Sequence, residues 1–142
     1  MLQDAADGLS DLTPSALQTA YVELLQSTIE TVGTGTVADE TGLDAAQLDA
    51  ILAGDASDLT VEEAAGILAV DPDRPDAEAI VFELRDHLLM GMTTAVLDVD
   101  TIAANIDVDL TAQEVQQAIE GRIEMTLAQL AAIQSVIDGR EA

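Results

Sequence analysis

His87 is the one histidine of the chain, and it follows Asp86. An imidazole beside a carboxylate could serve as a general base or begin a metal site. No second histidine exists to complete a pair such as H-E-x-x-H. His87 lies between Leu84 and Gly91 at helical spacing, on the border of an apolar stripe. There its ring can cover core while a nitrogen meets a carbonyl or water. Asp71, Asp73 and Asp76, or Asp98 and Asp100, could suggest calcium. Neither run meets the loop pattern D-x-[DN]-x-[DN]-G, and both read as linkers and caps. The run GTGT, Gly33 to Thr36, lacks the Lys and the length of a phosphate-cradling loop. Cysteine is absent, which excludes thiolate nucleophiles, thiolate metal sites and disulfides. No catalytic, cofactor-binding or metal-ligating residue is assigned, and neither an enzyme nor a small-molecule substrate is expected.

Recognition is a different matter. A helix opening at Thr111 exposes Gln113, Gln116 and Gln117, with Arg122 just past its end. A Gln can pair with adenine N6 and N7 in the major groove, worth roughly 1–3 kcal/mol of discrimination. Equally, glutamines are uncharged surface residues that can line a protein partner. Thr111, Gln113, Gln116, Gln117 and Arg122 are therefore the candidates for partner or DNA binding. The corresponding face of an earlier helix carries Asp44, Ala45, Ala46, Asp49, Ala50 and Ala53. Carboxylates and methyls there suit packing, not phosphate.

The charge balance limits the partners. Asp and Glu number 28 against four basic residues, all Arg, giving a net charge of −24 over 142 residues. Such a surface repels itself and opposes the compact state. Near ~1 M salt the screening length falls to about 3 Å and that repulsion fades. Phosphate contacts from Lys and Arg, which supply most non-specific DNA affinity, are nearly absent. A composition that is 49% apolar, arranged with helical periodicity, argues for a packed core, not an acidic disordered tail. Tyr21 and Phe82 are the only aromatics, so that core rests on Leu, Ile, Val, Ala and Met. Leu88 to Leu97, the longest weakly polar run, falls far short of the ~20 residues a membrane span needs. The start, MLQDAADG, carries no apolar signal core. A cytoplasmic location is expected.

These candidates need helices to hold them. Residues 1–12 read as a mobile acidic segment. Thr13-Pro14 is a helix start. Leu17, Tyr21, Leu24, Leu25, Ile29 and Val32 then recur at spacings of three and four, up to Gly33. Capping pairs follow: Thr36 with Asp39, Asp44 with Gln47, and Thr60 with Glu63. The run DPDRPD, 71–76, is a linker. A second long helix has the stripe Ile80, Val81, Leu84, Leu88, Gly91, Met92, Ala95 and Val96, and Asp98 to Asp100 ends it. Met90 and Met92 read as core filling. Thr101 then opens a short helix, Thr111 with Glu114 caps another, and Thr126 with Gln129 caps a last one that closes near Gly139.

The second set repeats the first. Residues 101–136 match residues 36–70 at nine positions, among them Gly54 with Gly121 and Thr60 with Thr126. Each set follows one long helix. The predicted fold is all-α: two tandem helix-turn-helix-like repeats, each preceded by a long amphipathic helix. Repeat one spans 13–70 and repeat two 77–142, as a single compact domain with both long helices near the centre.

TGTVADETGLDAAQLDAILA, Thr34 to Ala53, resembles the helix-turn-helix of the phage-repressor-like family. Ala38 stands at the helix crossing, Gly42 at the turn, and Leu48 and Ile51 inside the second helix. The second copy departs from it, with Asp107 in place of the turn Gly and a longer turn. The whole chain resembles a family of short acidic haloarchaeal proteins classed as a domain of unknown function. HLLMGMTTAVLDVDTIA and EVQQAIEGR carry that likeness. It implies a salt-adapted protein without an assigned activity. The expected function is a non-enzymatic, salt-adapted protein-interaction or regulatory module, with a protein partner or self-association. The alternative is a DNA-binding transcription regulator using the second unit.

Overall fold

The computed structural model describes residues 1–141. The chain is all-helical, as the periodicity predicts. A short 3-10 segment, Leu2–Ala6, precedes α1 (Pro14–Val32), α2 (Thr34–Thr41), α3 (Ala45–Leu52) and α4 (Val61–Leu68). Then come α5 (Ala77–Ala95), α6 (Val99–Ala104), α7 (Ala112–Glu120) and α8 (Leu127–Glu141). Most of the caps that sequence alone points to form. Thr13 accepts from Ala16 N, and Pro14 takes the first helical position. Asp44 with Gln47, Thr60 with Glu63, and Thr111 with Glu114 make reciprocal capping boxes. Thr126 and Gln129 bond in the same two directions.

Some boundaries differ from the sequence reading. α2 begins at Thr34, capped by Gly33 without a side-chain bond, so Thr36 with Asp39 is not its start. The second long helix ends at Ala95 with Val96 as its cap, so Asp98 to Asp100 does not end it. Asp98 caps α6, which begins at Val99 and not at Thr101; it accepts from Thr101 N, and that bond holds its carboxyl below the usual range. The segment 1–12, read as mobile and acidic, is anchored at its start: Leu2 is fully buried and Gln3 nearly so. Leu2 fills space that α1 and α5 leave open, a demand that a local pattern does not reveal.

Four helices enclose the core. α1 packs on α8 and on α4, and α5 packs on the same two. α1 and α5 scarcely meet. Both lie at the centre, as expected, yet each is covered by α4 and α8 and not by the other. α2 with α3, and α6 with α7, flank this bundle as paired short helices. One continuous cluster of Leu, Ile, Val, Ala and Tyr21 runs through it.

The two halves share several local features. α1 and α5 are 19 residues each, following the caps Thr13 and Asp76. Counted from those caps, buried Leu17, Tyr21, Leu25 and Thr28 fall on buried Ile80, Leu84, Leu88 and Gly91. α3 closes through Gly54 N to Ile51 O and Asp55 N to Ala50 O. α7 closes the same way, Gly121 N to Ala118 O and Arg122 N to Gln117 O. Both glycines have positive φ, 95° and 81°. Thr60 and Thr126 face each other in an isolated antiparallel bridge. Val61 N donates to Met125 O and Leu127 N to Leu59 O, each at 2.8 Å. The two bonds are related by a two-fold rotation between the threonines.

Candidate partner-docking face

Thr111, Gln113, Gln116, Gln117 and Arg122 run the length of α7, from its N-cap to just past its C-cap Gly121. Thr111 is its N-cap, so its hydroxyl is engaged by Glu114 N at 3.2 Å. Gln113, Gln116 and Arg122 are exposed and Gln117 is half-buried. Two of these side chains converge on one carboxylate: Gln116 Nε2 lies 3.5 Å from Glu120 Oε2, and Arg122 Nε 3.4 Å from Glu120 Oε1. The nearby Arg is thus largely neutralised.

His87 does not pair with Asp86. Its Nε2 donates to the carboxylate of Asp138 on α8, 3.0 Å to one oxygen and 3.2 Å to the other. Asp138 also accepts from Gln134 Nε2 at 2.9 Å. Gln134 is fully buried, accepts a short hydrogen bond from the Tyr21 hydroxyl and donates to Gln3 O at 3.1 Å. Gln3 Nε2 reaches Glu83 Oε1 at 2.6 Å, and the N-terminal ammonium bonds the same oxygen. These groups tie α1, α5, α8 and the 3-10 segment together. Among the described residues no group of three or more His, Asp or Glu is placed to hold a metal ion.

Two groups of this network are moved from their ordinary values. Bonds from the N-terminal ammonium and Gln3 hold Glu83 below the usual carboxylate range. Its contribution is present above an ordinary carboxylate pKa of ~4.3 and is lost as pH falls through the lowered value. Burial, and then the charge of Asp138, push the Tyr21 hydroxyl far above ~10. Its contribution is complete below ~10 and is lost as pH rises beyond it. Lys and Cys are absent and Tyr21 is the only Tyr, so few other groups titrate there. Stability in alkali is expected to decline above ~pH 10. Tyrosinate absorbance should appear only with unfolding, and Tyr21→Phe should flatten the decline.

A second feature lies on α5. All four exposed large hydrophobic residues among those described are on this helix or its C-cap: Phe82 (73% exposed), Leu89 (46%), Met90 (62%) and Val96 (90%). Met90 is not core filling, and Val96 is not part of the buried stripe. The helix turns at Val96, which takes φ 54°, ψ 51° and so leaves the helical phase one residue early. At the corresponding places on α1 stand Thr19, Gln26, Ser27 and Gly33. The contrast at Leu89 is informative. Gln26 donates to Ile51 O and Leu52 O, both at 3.1 Å, covering the end of α3. Leu89 instead borders a depression of about 380 Å³ with Met92, Leu97, Gln116, Ile119 and Glu120. A second depression, about 530 Å³, lies along Val81 and Phe82, rimmed by Glu62 and Glu78. Arg85 separates the two. It pairs with Glu62 at 3.1 Å, and a Cβ placed on Gly121 would fall 2.4 Å from its guanidinium carbon.

Val96 is the only non-glycine residue with positive φ among those described. For a β-branched residue that conformation costs roughly 1–2 kcal/mol. Being 90% exposed, its side chain recovers little of this by burial. Val96→Gly is therefore expected to stabilise the free protein by ~1 kcal/mol, raising the thermal midpoint by about 3 °C. A lower midpoint would mean that Val96 contributes packing within the chain.

Sequence reasoning found Gln116 but missed Phe82, Leu89 and Val96. The signal available was the comparison of α5 with α1, position by position from their caps, which isolates the apolar residues the fold does not require. The site and fold together define an all-helical protein whose distinctive surface is an apolar helix stripe bordered by carboxylates. The chain belongs to a family of unknown function (DUF5791), matched over residues 17–140. No curated protein and no solved structure matches it. Among the described residues, no helix is long and apolar enough to cross a membrane.

Proposed function

We propose that this protein is a non-enzymatic interaction module that docks a protein partner on the α5–α7 face. The observation that carries the reading is the asymmetry between two otherwise corresponding helices. Thr19, Gln26, Ser27 and Gly33 serve α1 well, so the fold does not need Phe82, Leu89, Met90 and Val96 on α5. Phe82 and Leu89 each border a depression beside α5, and exposed apolar residues that the fold does not need mark an interaction surface. The strain at Val96 fits a side chain kept for contact.

The scaffold, on this proposal, is a duplicated helix-turn-helix-like unit that works in concentrated salt in the cytoplasm of a salt-adapted, haloarchaeal cell. The paired caps, the matching closures at Gly54 and Gly121, and the two-fold bridge at Thr60 and Thr126 support the duplication. Gly42 at φ 78° between α2 and α3 supports the likeness to a helix-turn-helix. The net charge of −24 supports salt adaptation.

A photo-crosslinking residue placed at position 82, and separately at position 19, tests the docking reading in concentrated KCl lysate. One defined adduct at 82, absent at 19 and lost on adding Leu89→Ser, is expected. Equal labelling at both positions would refute it. DNA binding through α7 is the second reading, favoured by the exposure of Gln113 and Gln116 and opposed by Glu120 beside Arg122. Selection from a random DNA pool in high KCl decides it: a defined motif, lost when Gln113, Gln116 and Gln117 become Ala, would replace the first reading.

A further inference from the structure

We infer that the occupant of the α5–α7 face is an amphipathic helix of another protein, with Lys or Arg flanking its apolar residues. The inference rests on the docking reading above and adds the chemistry of the partner. Phe82 and Leu89 are spaced by seven, so they share one edge of α5 about 10 Å apart at ~1.5 Å per residue, and Val96 stands beyond them at the C-cap. That spacing matches two anchors at i and i+7 on a partner helix. The depressions on either side of Arg85 accept two such anchors, one beside Phe82 and one between Leu89 and Ile119.

Charge selects the occupant. Glu62 and Glu78 rim the first depression, and Asp98 and Glu120 the second. The basic groups nearby are already paired, Arg85 with Glu62 and Arg122 with Glu120. At contact distance, inside the ~3 Å screening length of molar salt, a second copy of this chain would set these rim carboxylates against one another. A helix with cationic flanks meets the rim with the opposite sign, and its apolar face meets the stripe.

Two fluorescein-labelled 18-residue peptides of Leu and Lys test this, identical in composition. In one the Leu residues follow helical spacing; in the other they are scattered. Anisotropy is read at a KCl concentration where circular dichroism reports the folded protein. The amphipathic peptide should bind at least ~10-fold tighter than its scattered counterpart. Phe82→Ser with Leu89→Ser, both exposed and so without cost to the core, should remove that advantage. Equal binding of both peptides, or binding indifferent to the double variant, would overturn the inference. Sedimentation separates this from failure of the docking reading. A wild-type dimer abolished by Phe82→Ser and Leu89→Ser keeps the face as an interface but makes a second copy its occupant. If neither peptide binding nor self-association depends on the two residues, both readings fall.

Discussion

Dilution of KCl from 3 M to 0.1 M should lower the thermal midpoint of this protein by at least about 10 °C. The reason is unscreened repulsion. At 0.1 M the screening length is about 10 Å, comparable with the spacing of surface carboxylates, whereas above 1 M it is under about 3 Å. Few attractions offset this. The side-chain ion pairs among the described residues are Arg74 with Asp71, Arg85 with Glu62, and Arg122 with Glu120. For a net charge of −24 the loss amounts to several kcal/mol, against a total stability of ~5–15 kcal/mol. Helix circular dichroism through a melt at each salt concentration measures it. A midpoint independent of salt would refute adaptation to concentrated salt.

The second large effect is expected at Gln134. Its side chain is fully buried and serves three partners: the Tyr21 hydroxyl, Gln3 O and Asp138. Gln134→Ala leaves the hydroxyl and a carbonyl without partners and opens a cavity. Each buried orphan costs ~1–3 kcal/mol, and truncation of a long side chain adds to that. The expected loss is ~3–5 kcal/mol. Tyr21→Phe alone should cost less, since it removes the donor and leaves only one acceptor unmet. Tyr21→Phe with Gln134→Leu should recover part of the loss, because an apolar pair of similar shape leaves fewer orphans. Urea unfolding at fixed KCl measures each loss, and Tyr21→Phe, Gln134→Leu and their double variant close the cycle. Additive losses would show that Tyr21 and Gln134 act independently.

Why Gln134 escapes a reading of the sequence is clear from its partners. Its spacing in α8 continues the apolar stripe of Leu130, Ala131 and Ile133, and the residue that makes it useful lies 113 positions away. Capping, by contrast, is a local event. Asp44 finds Gln47 three residues on, and Thr111 finds Glu114, so both boxes are legible without knowledge of the fold. α2 escapes because Gly33 opens it through backbone geometry alone. Leu2 escapes because its burial depends on α1 and α5. The candidate site divides along the same line. Gln116 lies on a face that helical periodicity predicts. Val96 continues the period of α5 in the sequence, and only its left-handed backbone turns it to solvent. Phe82 is visible in composition, but its exposure follows from where α4 and α8 cover α5.

The crossed packing of the halves also bears on synthesis. A ribosome releases α1, then α2, α3 and α4, but α1 also packs on α8, and Val61 and Leu59 bond across to Met125 and Leu127 before and at its start. Emerging at ~5–20 residues per second, the first half spends several seconds with Leu17, Tyr21 and Leu25 unshielded. Its hydrophobic side can be closed only once the second half has left the exit tunnel. During that interval the nascent chain depends on its dense carboxylates to keep it apart from its neighbours on a polysome, so the charge that strains the finished fold at low salt protects the unfinished one.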